Sequence, residues 1–385
     1  MTRRDGAPIV GMIGGGQLAR MTAEAATALG IGFRVLASSA DDPAAQVVHD
    51  VRIGAHDDPE AVLAFAQGCD AVTFDHEHVP ADILLALEAK GIAVRPGPGA
   101  LAHAQDKLHM RAALSALGAP CPAWALVQSP GEVDAFAHEH GWPVVLKTSR
   151  GGYDGKGVWV VDGPEEVLTV MSSPLAADSQ WLVEQFVPFV RELSAQVARS
   201  PHGQAVAYPI VQTKQVNGIC SEVIAPAPGL DEQRALQAQE VALRIARDLG
   251  VVGMLAVELF DTGDAILVNE LAMRPHNSGH WTIEGAVTSQ FENHLRAVLD
   301  LPLGDPSPRA SSVVMVNVLG GTVGELYSAY RHVLARDPEL KVHLYGKEVK
   351  PGRKVGHVTL LGNDADDLLA RGRHAADYFS GVIDE

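Results

Sequence analysis

The chain has little cysteine: three in 385 residues, Cys69, Cys121 and Cys220, widely spaced and with no CxxC pair. That argues against a disulfide framework or a cysteine metal site and fits unpaired thiols in a reducing cytoplasm. Positive charge is also scarce, with 30 Lys and Arg against 47 Asp and Glu for a net charge of -17. Nucleic acid is therefore a poor partner. Anionic small molecules remain open, because a few local basic residues can hold a phosphate against an unfavourable overall field. No apolar run reaches the length of a membrane span. Arg3 and Arg4 precede an apolar stretch, but it breaks at Gly14-Gly15-Gly16-Gln17 and Arg20 follows, so a strand meets a helix there. A signal peptide is not indicated. No internal repeat or low-complexity segment is present, and a cytoplasmic, globular protein of two or three cores is expected.

Residues 8–13 read as a buried strand, and Leu18, Met21, Ala25 and Leu29 mark the apolar face of a helix. Further strands are expected at 33–36, 71–74 and 92–94 with helices between, the alternation of a parallel sheet. The Pro- and Gly-rich segment 95–99 ends a first unit, 1–100. From 101 to 302 short strands at 144–147, 158–161, 181–183, 192–199, 255–260 and 265–271 sit among helices, as in an α+β unit. Residues 301–308 punctuate again, and 303–385 is expected to be a small β-rich region with strands near 313–318 and 357–360.

Four groups of residues carry chemistry. Gly14-Gly15-Gly16-Gln17, between strand and helix, can present amides to an anion or merely make a tight turn. An acidic residue should end the second strand of a dinucleotide fold; Ala37, Ser38 and Ser39 stand there instead, which disfavours a nicotinamide-linked oxidoreductase. After Lys147 comes Ser149-Arg-Gly-Gly-Tyr-Asp-Gly-Lys156-Gly157, a glycine-rich hairpin able to lie over phosphates. Glu258 and Glu270 each sit late in an otherwise apolar strand, with Asp261-Thr-Gly-Asp264 as the turn between them. Carboxylates so placed need a cation, and two in one hairpin suggest Mg²⁺ bridging nucleotide phosphates. Sharing one metal requires both on one face, which predicts a three- or five-residue turn with Gly263 left-handed. Arg274 can hold a planar oxyanion in bidentate fashion, and His276, Asn277 and Ser278 follow it.

These strings, with Val-Thr-Phe-Asp-His-Glu-His-Val-Pro (72–80), Glu-Gln-Phe-Val-Pro-Phe (184–189), Arg-Pro-His-Asn-Ser-Gly-His (274–280) and Tyr-Gly-Lys-Glu…Pro-Gly-Arg-Lys-Val-Gly-His (345–357), resemble the ATP-grasp enzymes. Within them the sequence is similar to the N5-carboxyaminoimidazole ribonucleotide synthetases over nearly its whole length. The resemblance implies an α/β and α+β architecture: a Rossmann-like N-terminal domain, a lid, an ATP-grasp core and the β-rich C-terminal region.

It also implies that Lys107 and Lys147 contact ATP phosphates under a lid loop of Gly152, Tyr153, Asp154, Gly155, Lys156, Gly157 and Val158. Glu184, Gln185, Phe186 and Val187 would present backbone to adenine, Glu192 would take the ribose, and Asn269 would sit beside the metal ligands Glu258 and Glu270. The metal would be Mg²⁺, with Mn²⁺ as an alternative. Aminoimidazole ribonucleotide would draw on Glu77, Tyr153, Asp154, Lys347, Arg353 and Lys354. Its phosphate is expected between the amides of Gly15, Gly16 and Gln17 on one side and Lys347 with Arg353 on the other.

Arg274, His276 and Asn277, with Tyr153 and Asp154, would serve catalysis on bicarbonate, activated as carboxyphosphate behind a closing lid. The implied assembly is a homodimer. The sequence departs from the family pattern at Asp75 (a glutamate expected), Ala272 (an asparagine metal ligand) and Met273 (a proline). The nearest alternative is another ATP-grasp ligase, such as a formate-using glycinamide ribonucleotide enzyme.

Overall fold

The computed structural model describes residues 6–151, 156–173, 180–216 and 218–384. Five strands, β1 (Ile9–Ile13), β2 (Gly32–Ala37), β3 (Asp50–Ile53), β4 (Ala71–Phe74) and β5 (Ala93–Val94), form a parallel sheet in the order β3-β2-β1-β4-β5. β1 and β4 are buried along their whole length, as expected of central strands covered on both faces. Helices α1 (Gln17–Ala28), α2 (Pro59–Ala66) and α3 (Ala81–Ala89) make the crossovers. The strand order reverses between β1 and β4, so their carboxyl ends open a crevice where such sheets bind ligands. Gly14–Gln17 and Asp75–His78 leave the sheet there.

After α4 (Pro98–Gln105) and α5 (Lys107–Ala116) comes a four-stranded antiparallel sheet of β6 (Trp124–Val127), β7 (Val144–Thr148), β8 (Val158–Val161) and β9 (Trp181–Gln185), in the order β6-β9-β7-β8. It packs its own apolar cluster, including Val133, Phe136, Leu146 and Val183, with α6 (Pro130–His140) and α7 (Pro164–Met171).

The third sheet has nine strands: β10 (Arg191–Arg199), β11 (Ala205–Ala207), β12 (Val211–Val216), β13 (Ile219–Ala225), β14 (Gly253–Asp261), β15 (Ile266–Ala272), β16 (Ser312–Leu319), β17 (Lys341–Leu344) and β18 (Lys354–Gly362). They run β15-β14-β10-β12-β13-β16-β18-β17, with β11 beside β10. The last three strands continue the core sheet through the β13–β16 pairing rather than forming a sheet of their own. The C-terminal region is also more helical than its sequence suggested. Helices α8 (Glu232–Asp248), α9 (Thr282–Gly285) and α10 (Gln290–Val298) cover the core, and α11 (Tyr330–Arg336) and α12 (Ala365–Ser380) cover the end. α12 starts on an Asp364 carboxylate accepting from Asp366 and Asp367 amides and stops at left-handed Gly381.

One apolar cluster runs from Ile13 and Val72 of the first sheet and Leu84 of α3 to Ala242 of α8 and Val257 and Leu271 of the third sheet, so these two units are packed as one body. His294 pins them: its Nε2 meets Thr73 Oγ1 at 2.8 Å and its Nδ1 accepts from the Met254 amide at 3.1 Å. No described helix is long and apolar enough to cross a membrane.

Candidate active site

A cavity of about 1210 Å³ opens where the three sheets face one another. Gln17, Glu77, Lys107, Lys156, Glu258 and Glu270 line it, as do Arg274, His276, Asn277, Lys347, Arg353 and Lys354. Residues up to 337 positions apart in sequence thus share one space. Gly152, Tyr153, Asp154 and Gly155 lie outside the described residues.

The carboxylate pair comes from the β14–β15 hairpin. Glu258 and Glu270 are directly opposed in the ladder, so both side chains emerge on one face. The route to that register differs from expectation. Asp261 pairs with Ile266, which leaves a turn of four residues rather than three or five. The parity is restored by a bulge: Glu258 faces Glu270 but Leu259 faces Val268, leaving Asn269 as the extra residue. Gly263 is left-handed, at φ 89°, and its amide donates to Asp261 Oδ1.

Burial raises the Glu258 pKa above the ordinary carboxylate value, and the Glu270 and Glu192 charges push the same way; Lys354 and Arg274 oppose them. Lys107, just inside α5, reaches Glu270 Oε1 at 3.1 Å. Among the described residues no group of three carboxylate, imidazole or thiol side chains is arranged to hold a metal alone. Two opposed hard oxygen ligands with too little local positive charge do suit Mg²⁺, which keeps its remaining positions for phosphate and water.

Lys147, on β7, is held differently. Its Nζ lies 2.7 Å from Glu184 Oε2 and 3.3 Å from Asn269 Oδ1, and Arg111 Nε donates to Glu184 Oε1 at 2.5 Å. Arg111 also donates to the carbonyls of Val268 and Asn269, which fixes the bulge. Burial alone would raise the Glu184 pKa, but Lys147 and Arg111 bring it down to about 2. The Glu184 side chain is thus a buried anchor for Lys147, a role the adenine-side reading of 184–187 does not contain. Gln185 ends β9, and Phe186 and Val187 begin the connection to β10; Phe189 beyond them stacks on Phe260, with ring centroids 4.8 Å apart. Val158 pairs with Lys147 in the β7–β8 ladder, and the carbonyl of Gly157 accepts from the Thr148 amide, closing the hairpin. Glu192, the second residue of β10, lies on the carboxylate face; burial raises its pKa, opposed by a hydrogen bond from the Gln215 backbone.

The polar run after β15 turns back into the cavity. Arg274 Nε donates to Glu77 Oε2 at 2.8 Å, joining the third sheet to the loop after β4. His276 caps a 3₁₀ turn, Asn277–Gly279, and its Nδ1 accepts from the Ser278 amide at 3.4 Å. The same Nδ1 lies 2.8 Å from Ser278 Oγ, and Nε2 lies 3.5 Å from Glu258 Oε1. Burial, followed by the charges of Arg274 and Lys354, lowers the His276 pKa to about 3, so the ring is neutral. Asn277 exchanges two hydrogen bonds with the Asn317 carboxamide, at 3.1 and 2.7 Å, so it forms cavity wall more than free donor. Gln290 braces the segment by accepting from His276 N and donating to His276 O.

On the remaining side Lys347 Nζ donates to Gln17 Oε1 at 2.5 Å and lies 5.7 Å above the Tyr345 ring. The expected amide cradle at Gly15–Gln17 needs correction: the Gly16 amide already donates to Asp75 Oδ2 at 2.7 Å. Gly15 and Gly16 do not line the cavity; of the three, Gln17 does. The sequence did not single out Arg111 or Gln215, and it marked Asp75 only as a departure from the family pattern, with no role. Arg111 sits in an amphipathic helix among ordinary charges, and only three-dimensional burial marks it.

Three family models match in series: a ribonucleotide synthetase preATP-grasp domain over 8–105, an ATP-grasp domain over 112–291 and a phosphoribosylaminoimidazole carboxylase C-terminal domain over 313–371. An N5-carboxyaminoimidazole ribonucleotide synthase of Mycobacterium bovis is 54% identical over 97% of this chain and 88% of that protein. The crystal structure of N5-carboxyaminoimidazole ribonucleotide synthetase from Thermus thermophilus is 39% identical, with TM-score 0.86 over 98% of this chain and 99% of that one. An Aspergillus clavatus N5-carboxyaminoimidazole synthase, solved with ADP and 5-aminoimidazole ribonucleotide, is 30% identical with TM-score 0.89, over 97% and 99%.

Proposed function

The chain belongs to the N5-carboxyaminoimidazole ribonucleotide synthase family of ATP-grasp ligases, and from that premise we propose how its residues divide the work. It carries out the ATP-dependent carboxylation of 5-aminoimidazole ribonucleotide to N5-carboxyaminoimidazole ribonucleotide, in purine biosynthesis. The observation that supports the division is a connected series of contacts across the cavity: Lys107 to Glu270, Glu270 opposite Glu258, Glu258 to His276, and Arg274 to Glu77.

Bicarbonate is a poor electrophile and is activated by attack on the γ-phosphate. That step asks the protein for alignment and charge neutralisation more than for covalent help. Lys147, locked by Glu184, and Lys107 hold the triphosphate; the lid loop 152–158 closes over it; the connection 184–187 receives adenine and Glu192 the ribose. Glu258 and Glu270 hold Mg²⁺, or Mn²⁺ in its place, which when bound neutralises charge on the phosphate oxygens. Arg274 keeps one edge of its guanidinium on Glu77 and offers another to bicarbonate, with neutral His276 alongside as a hydrogen-bond donor. Carboxyphosphate hydrolyses readily, so the lid must exclude water until the 5-amino group of the ribonucleotide is carboxylated. Glu77, Tyr153, Asp154, Lys347, Arg353 and Lys354 receive that ribonucleotide. A homodimer acting in the cytoplasm completes the reading, and sedimentation giving twice the chain mass tests the assembly.

ADP release should require ATP, bicarbonate and aminoimidazole ribonucleotide together, and label from bicarbonate should appear in the ribonucleotide. ADP release that instead depended on formate and a different ribonucleotide amine would replace this reading with another ATP-grasp ligase.

A further inference from the structure

The N-terminus of α1 looks like a phosphate cradle in sequence, yet two of its amides, those of Gly16 and Ala19, are occupied by the protein itself. Asp75 follows β4 directly, and its backbone amide continues the β1–β4 ladder by donating to Ile13 O at 2.9 Å. That fixes its side chain over the glycine turn. One carboxylate oxygen accepts from Gly16 N at 2.7 Å and the other from Ala19 N at 2.9 Å. Gly16 is the N-cap of α1, has no side chain to cap with, and the first turn holds no acidic residue. A single foreign carboxylate therefore satisfies the N-cap and N3 amides, the two donors that a capping box satisfies with local side chains. The glycines make room for it. A Cβ on Gly16 would come within 2.2 Å of Asp75 Oδ2, and one on Gly14, where φ is +104°, within 2.8 Å of Asp75 Cβ. Gly14 and Gly16 are thus explained by the approach of Asp75, while Gly15 is required by Asp42 and Ala37, whose Cβ atoms would lie 2.8 and 2.9 Å from a Cβ there.

Gln17 lies between the two pinned amides and presents Oε1 to Lys347 Nζ from the C-terminal region. The loop that carries Asp75 also carries Glu77, the partner of Arg274. We propose that Asp75 is a positioning residue: it closes the α1 N-terminus to phosphate and sets Gln17 and, through it, Lys347 in place for the ribonucleotide. This rests on the ribonucleotide reading above. It deepens that reading by assigning the substrate phosphate to the basic side chains of the C-terminal loop alone.

Asp75→Asn keeps the shape but turns an NH₂ toward one of the two amides, so one hydrogen bond is lost and a donor faces a donor. In the Asn variant the KM for aminoimidazole ribonucleotide should rise roughly tenfold or more, the cost of losing one charged hydrogen bond. The KM for ATP should hold within about twofold, a change under half a kcal/mol, and Asp75→Glu, which restores the charge, should recover part of the loss. A ribonucleotide KM unchanged in the Asn variant, or an ATP KM raised equally, would overturn the assignment. Hydrogen exchange at Gly16 and Ala19 supplies a readout independent of substrate: protection should drop in the Asn variant, and equal protection would contradict the pinning. Gln17→Ala, at the edge of the cavity, serves if the Asp75 variants do not fold; it should raise the ribonucleotide KM selectively, and no change would again count against the proposal. Failure of the parent reading looks different, since the wild-type protein would then show no ribonucleotide-dependent ADP release while the exchange result would stand.

Discussion

Two sets of acidic side chains lie beside the β14–β15 hairpin, and they are balanced in opposite ways. Glu184 on β9 is almost fully buried, but both its oxygens are taken by cations, Lys147 and Arg111, which lie on different elements. Glu258 and Glu270 on β14 and β15 are opposed to each other, with Lys107 in contact with one of them and His276 neutral nearby. The first set is complete and fastens the lid sheet to the core. The second is a like-charge pair brought into register by a bulge, and a bound metal ion would supply the charge it lacks under the reading proposed above. Residue type alone does not separate the two; the local sum of charge does.

The completed set is where the largest loss of stability is expected. Glu184→Gln leaves Lys147 and Arg111 buried without their anion, and breaking one partner of a buried pair costs about 3–5 kcal/mol. Chemical denaturation should show it, and a loss below about 1 kcal/mol would mean that the network is no tighter than a surface pair. The open set should behave the other way. Glu270→Gln should fold as well as the parent protein while kcat falls by roughly 10²–10³, the range for losing one electrostatic contact to the reacting charge. A variant that lost stability and activity together would erase the distinction.

The smallest expected effect is a difference in pH sign. Glu184 has a depressed pKa in the fold, so its contribution is present above the ordinary carboxylate value of 4.5 and is lost as pH falls toward about 2. Glu258 has a raised pKa, so its folded state prefers the proton and stability falls as pH rises above 4.5. Glu258→Gln should therefore gain on the order of 1–3 kcal/mol at pH 8, a tenfold change in proton affinity being worth about 1.4 kcal/mol, and nothing near pH 4. Equal gains at both pH values would show that the carboxyl is not strained by its neighbours.

Much of this was legible from the amino acids, for reasons that differ by region. β1, β4, β14 and β15 are apolar runs bounded by glycine or polar turns, and they fall within one or two residues of where the pattern put them. The convergence of Glu258 with Glu270 was legible because two acids late in apolar strands need a cation. The bulge was not, since a turn length read from sequence cannot reveal one extra residue at Asn269. β12 escaped notice because Val-Gln-Thr-Lys-Gln-Val is too polar to stand out as a strand; it is paired on both sides inside the sheet. The Gly-Gly-Gly-Gln turn carried two readings, and only the position of Asp75, 59 residues beyond Gly16, distinguishes a phosphate cradle from a turn filled by its own carboxylate.

The open carboxylate pair is best tested by metal binding itself, without turnover. Mn²⁺ titrated into the protein with ADP present, followed by electron paramagnetic resonance, reports bound and free ion directly. The wild-type protein and Glu184→Gln should both bind the ion, the latter under conditions where it is folded. Glu258→Gln with Glu270→Gln should weaken binding by roughly a hundredfold or more, as two charged contacts at about 1.5–3 kcal/mol each imply. If the double variant bound Mn²⁺ as tightly as the wild type, the pair would not be the metal site.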